Sequence, residues 1–156
     1  MKLINKVMKF IEKLEKWLDK NNPLGEKLYD TSKLLLGQDL SHKVSNNLGC
    51  AESVSRVLKI AFNDDFFSVS TYNFYQMLRG DKKWRQVYFP VRGDAIISPT
   101  GYGNGHGHIG IISDNNIIHS NNSYTGKWSA FYTIPKWKDY YGREKKFPVF
   151  YFRRVK

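Results

Sequence analysis

The chain of 156 residues has a single cysteine, Cys50, and only five prolines. One thiol rules out an internal disulfide, so a covalent framework cannot hold the fold and the thiol is silent about redox compartment. No run of roughly 20 apolar residues occurs, so no segment reads as a membrane-spanning helix. Lysines at 2, 6, 9, 13, 16 and 20 interrupt any apolar stretch of the kind a secretion leader needs, and no leader is expected there. Internal repeats and low-complexity tracts are missing too. Acids are few, 14 against 25 lysines and arginines, which leaves a formal net charge of +11. That surplus favours polyanionic partners: nucleic acid, anionic lipid, or the acidic polymers of a bacterial wall. What is abundant is apolar and aromatic material, 41% and 15% of the chain, enough for one packed domain and against disorder.

Residues 2–20 repeat apolar side chains at helical spacing: Leu3, Val7, Phe10, Ile11, Leu14, Trp17 and Leu18. Asn21, Asn22 and Pro23 should stop this helix. It can lie on a membrane surface, or it can pack on the domain or a partner chain. Acids at 12, 15 and 19 weaken attraction to anionic lipid, so packing is the expectation. A second helix is expected near 26–36, closed by Gly37. The stretch Asn46 to Phe62, NNLGCAESVSRVLKIAF, then places Cys50 after a glycine at the head of a third helix. Ala51, Val54, Val57, Leu58, Ala61 and Phe62 share one buried face with Cys50, while Glu52, Arg56 and Lys59 should meet water. A helix start favours thiolate, although a lone cysteine more often simply packs. Ser70 should cap a short helix through Leu78, with Tyr72, Phe74 and Tyr75 either in the core or walling a cleft.

From Trp84 onward the pattern is of strands: 86–91, 95–98, a glycine loop from Pro99 to Gly107, HIGIIS, a turn at 114–116, IIHSN, 128–134 and 148–155, with a short aromatic segment at 136–142. Helices precede an antiparallel sheet, an α+β domain. The expected division is an amphipathic helix over 1–22 and one domain over 23–156. The hairpin HIGIISDNNIIHSN can place His108 and His119 on one surface. A thiol from the third helix beside them would complete the order thiol, imidazole, orienting group that nucleophilic catalysis needs.

Three segments in sequence, GCAESVSRVL, VRGDAIIS and GHIGIISDNNIIHSNN, resemble the NlpC/P60 cysteine peptidase superfamily, which is close to the CHAP amidase/peptidase domains. The likeness covers about 45–155, and the leading helices are extra. The resemblance implies a papain-like core, Cys50 as nucleophile, His108 as base and His119 as the orienting third residue. Asn121, two residues on and on the same strand face, is the alternative third residue. Gly49-Cys50-Ala51-Glu52 departs from that superfamily's usual Asp-Cys-Ser-Gly, which leaves substrate open. The implied reaction is amide cleavage in the peptide of bacterial peptidoglycan; the lack of a leader signal fits a phage-type lysin released from the host cytoplasm or carried on a virion.

Tyr72, Tyr75 and His106 are expected on the substrate cleft. His106 and His108 form an H-x-H pair that could join His119 on zinc, but no fourth ligand pattern accompanies them, so neither metal nor cofactor is expected. His42 falls in a polar loop. Two other readings use the same residues: a basic, aromatic binding protein for nucleic acid or membrane, of which nucleic acid is disfavoured because the aromatics fall at core spacings, and a transacylase on the same fold.

Overall fold

In the computed structural model, residues 1–19, 22–45 and 48–156 are described. The expected helix end at Lys20 and Asn21, and Asn46 and Asn47 before the cysteine, lie outside the described residues. The protein is α+β. Helices α1 (Lys2–Leu18), α2 (Pro23–Leu34), α3 (Cys50–Phe62) and α4 (Thr71–Gly80) precede strands β1 (Trp84–Val87), β2 (Ala95–Ser98), β3 (His108–Ile112), β4 (Ile117–Asn121) and β5 (Trp128–Thr133). A short helix α5 (Ile134–Trp137) runs into a π-helical turn, Lys138–Glu144, before β6 (Phe150–Arg154). The strands form one antiparallel sheet in the order β1-β6-β2-β3-β4-β5.

Strand alternation sorts the side chains into two cores. On one face Ile97, Ile109, Ile111, Trp128 and Phe152 pack under α2, α3 and α4, whose Leu28, Val54, Leu58, Phe74 and Leu78 complete that core. On the other face Ile96, Ile112 and Ile118 pack with Trp137, Tyr141 and Phe147 from the segment after β5. The aromatic segment expected at 136–142 is thus the lid of the second core. Tyr75, expected at the cleft, is buried and stacks on Phe150 with ring centres 4.7 Å apart. Glu52, expected in water, is fully buried.

The RGD turn is structural. Asp94 is buried, accepts the Val91 backbone N–H, and takes Arg153 through Nε at 2.8 Å and Nη2 at 2.7 Å. Gly93 sits at φ +88°, and a Cβ there would stand 2.0 Å from the Gly25 carbonyl oxygen.

Helix α1 departs from expectation most. Its apolar stripe is not covered by the domain: Leu3, Val7, Phe10, Leu14 and Trp17 are exposed. The helix is held by its acids. Buried Glu15 accepts the backbone N–H groups of Tyr88 and Phe89 at 2.8 and 3.1 Å, and Asp19 pairs with Arg85 and Arg153. Glu15 and Asp19 therefore bind the domain rather than facing solvent, while Glu12 pairs with Lys16 along the helix.

Gly93→Ala combines a disfavoured φ with a backbone collision. It should lower stability by roughly 2 kcal/mol or more, read as a lower urea midpoint with an unchanged m-value.

Candidate active site

The head of α3 is shaped by what crowds it. Gly49 is its N-cap, and a Cβ there would lie 2.3 Å from Ser41 Oγ and 3.1 Å from Asn121 Nδ2. Only a glycine lets the loop and β4 close on the helix start. One turn in, Glu52 ties down the preceding loop. Its carboxylate accepts the backbone N–H of His42 at 2.9 Å, that of Lys43 at 3.0 Å and the Ser41 hydroxyl at 3.2 Å, and pairs with Arg56 at 2.9 Å. Burial alone would raise its pKa, but the two backbone donors, the guanidinium and the hydroxyl outweigh that and hold it at about 2. Glu52 was hidden to the helical-face reading. An acid in the first turn of a helix was the available signal.

Cys50, His108 and Asn121 line one cavity of about 520 Å³, together with His106 and the aromatic side chains of Tyr132 and Tyr141. The thiol is fixed from the sheet side by a backbone hydrogen bond from Ile109, the neighbour of His108. A second hollow of about 250 Å³ reaches Cys50 past Thr71, Thr100 and His106, so the sulfur has space on two sides. A larger hollow of about 730 Å³ lies by Trp17 and Arg85 and contains none of these residues.

His119 is not brought to this cavity. Gly110 pairs with Ser120 and Ile111 with His119, so His119 shares the helix face with Ile111, whereas His108, two residues from Gly110, points to the opposite face. His119 Nδ1 instead lies 2.9 Å from the Ser32 hydroxyl of α2, and Trp128 Nε1 donates to the Ser32 carbonyl at 3.0 Å. The zinc set of His106, His108 and His119 is excluded by the same separation of faces. Asn121 has the parity of His119 but lies at the strand end, where the Gly49–Cys50 backbone meets the sheet. Tyr72 is half exposed and stacks on Tyr102, outside both hollows that reach Cys50. His106 lines both.

The electrostatics are those of two buried groups: Cys50 and His108 are both largely withdrawn from solvent. His108 is sandwiched among rings, 5.0 Å from Trp137, 5.6 Å from Tyr141 and 5.9 Å from Tyr132, centre to centre. Burial pushes its imidazole down to about 4. Burial pushes the Cys50 thiol up to about 11, against the backbone hydrogen bonds of Ile109, Ala51 and Cys50 itself. The helix start does not win: desolvation of the charged sulfur exceeds the stabilisation by oriented backbone donors. At neutral pH both groups are uncharged. Trp137 and Tyr141 escaped the sequence reading as site residues; their i, i+4 spacing was the signal that both rings share one side.

No protein-family model matches the chain, and no curated protein does. Among solved structures the chain is similar to one from the type VI native effector-immunity complex Tae3-Tai3 of Ralstonia pickettii. The two share 17% identity over 84% of this chain and 98% of that one, with a TM-score of 0.55. That likeness is one of fold.

Two outcomes follow. Iodoacetamide should alkylate native Cys50 slowly at neutral pH, with a rate that climbs as pH approaches about 11; a plateau already present near pH 7 would reveal a thiolate. Glu52 has a folded pKa below its ordinary 4.5, so its contribution is full above about pH 4.5 and is lost as pH falls toward about 2. The difference corresponds to ~3 kcal/mol. Glu52→Gln should lower the urea midpoint at pH 7 and flatten the acid dependence of stability over that window.

Proposed function

We propose that the protein is a cysteine hydrolase that cleaves an amide bond in the peptide of bacterial peptidoglycan. The observation that carries this reading is the convergence of Cys50, at a helix N-terminus, with His108 and Asn121 on one cavity. The three conjoined segments that resemble NlpC/P60 and CHAP enzymes support the substrate class. The fold is shared with a chain of a type VI effector–immunity complex, which is compatible with this reading.

The reaction starts from a neutral pair. An amide carbonyl enters beside Cys50, and His108 takes the thiol proton as sulfur attacks the carbonyl carbon. Separating charge between two buried groups is costly until the carbonyl oxygen itself becomes negative. The N–H groups of Cys50 and Ala51, which hydrogen-bond the resting sulfur, are then free to stabilise that oxyanion. Each such donor is typically worth roughly 3 kcal/mol. The imidazolium next protonates the leaving nitrogen as the C–N bond breaks. Water attacks the thioester, gives a proton to His108, and the thiol is restored. Asn121 serves as the orienting polar group in place of His119. The enzyme acts at the wall, after release from the host cytoplasm or carriage on a virion.

With purified peptidoglycan, Cys50→Ala and His108→Ala should each reduce release of new amino groups by at least ~10³-fold while the protein stays folded. Full activity in Cys50→Ala would refute the mechanism. Asn121→Ala should cost less. His119→Ala should lower the melting temperature through the lost Ser32 contact and leave kcat/KM of the folded enzyme nearly unchanged. The acid limb of kcat/KM should be displaced from the ordinary 6.5 toward about 4, because His108 must be neutral to accept the thiol proton.

A further inference from the structure

The outer side of α1 is a two-row surface. Lysines at 2, 6, 9, 13 and 16 are each followed directly by an apolar residue, Leu3, Val7, Phe10, Leu14 and Trp17. The alternating steps of four and three keep each row on one side of the helix, so a cationic row runs beside an apolar one for the full length of α1. The apolar row stands in solvent: Leu3 is 74% exposed, Phe10 65% and Trp17 71%. The third side of the helix, with Glu15 buried and Asp19 and Glu12 beside it, faces the domain. Glu15 and Asp19 are engaged with Tyr88, Phe89, Arg85 and Arg153, and Glu12 with Lys16.

We propose that α1 is a membrane-surface anchor that lays its apolar row into the headgroup region of an anionic bilayer, with the lysine row on the lipid phosphates. Of the acids that oppose such binding in the sequence, Glu15 and Asp19 are taken up by the domain and Glu12 is neutralised by Lys16 of the row itself, so the side left free is apolar and cationic. Nucleic acid or a wall polymer would match the lysines and leave the apolar row in water. A second copy of the chain would cover the apolar row, but its own Glu15 and Asp19 are engaged and could not meet the lysines. An anionic lipid surface satisfies both rows at once. At 17 residues, about 26 Å, and with five lysines, α1 lies along the bilayer instead of crossing it.

The protein carries its own reporter. Of its four tryptophans, Trp84, Trp128 and Trp137 are buried and Trp17 is exposed. With vesicles of equal phosphatidylglycerol and phosphatidylcholine, the full chain should co-sediment, shift its tryptophan emission to the blue and gain protection from acrylamide. Pure phosphatidylcholine vesicles should give at least about tenfold weaker binding, and added salt should weaken the anionic case. Phe10→Glu, at an exposed position, should cut binding to anionic vesicles about tenfold or more. Its circular dichroism and its hydrolysis of soluble wall fragments should be unchanged, so the cavity and this surface are tested apart. The proposal is overturned if the protein does not bind anionic vesicles, if Phe10→Glu binds as well as the parent, or if light scattering shows a dimer that Phe10→Glu dissolves.

Discussion

The seat of α3 against the sheet is the contact on which the cavity depends. A helix N-terminus is brought to the end of β3 and β4 with no side chain between, because Gly49 leaves that volume to Ser41 and Asn121. Glu52 then fastens the approaching loop to the first helical turn through two backbone donors, a hydroxyl and a guanidinium. A buried carboxylate with this many partners is inexpensive to keep ionised and costly to remove, since its loss leaves the loop donors and the Arg56 guanidinium without their acceptor. The thiol inherits its position from that arrangement and from the Ile109 backbone bond.

Much of the architecture was legible. Period-four apolar spacing located α3, Ser70 does cap α4, and the glycine loop, hairpin and closing strand fall where turn residues and alternation placed them. The hairpin also shows where pattern reading stops. That His108 and His119 lie on paired strands can be read from sequence; that they face apart depends on register, which the turn at 114–116 sets through Gly110 opposite Ser120. A shift of one residue would exchange the faces. Likewise, Tyr75 carries the same composition signal whether it walls a cleft or stacks on Phe150. The π-helical turn that aims Tyr141 at His108 has no local code, because its geometry answers to the rings it packs among.

The charge surplus of the chain is distributed with a logic that composition conceals. Several of the 14 acids work inside the structure: Glu15 and Asp19 dock α1, Glu52 holds the loop, Asp94 receives Arg153, and Asp64 pairs with Arg154. Lysines, by contrast, mostly face out. The surface is therefore more cationic than a count of residues conveys, and α1 concentrates that property along one edge.

Burial of the Cys50 sulfur has one more consequence. A sulfur that keeps its hydrogen is a poor target for peroxide, because the first oxidative step, to the sulfenic acid, proceeds through the anion. A permanently ionised cysteine would be open to that step at all times. Here burial keeps the Cys50 hydrogen in place, so the resting thiol resists that oxidation.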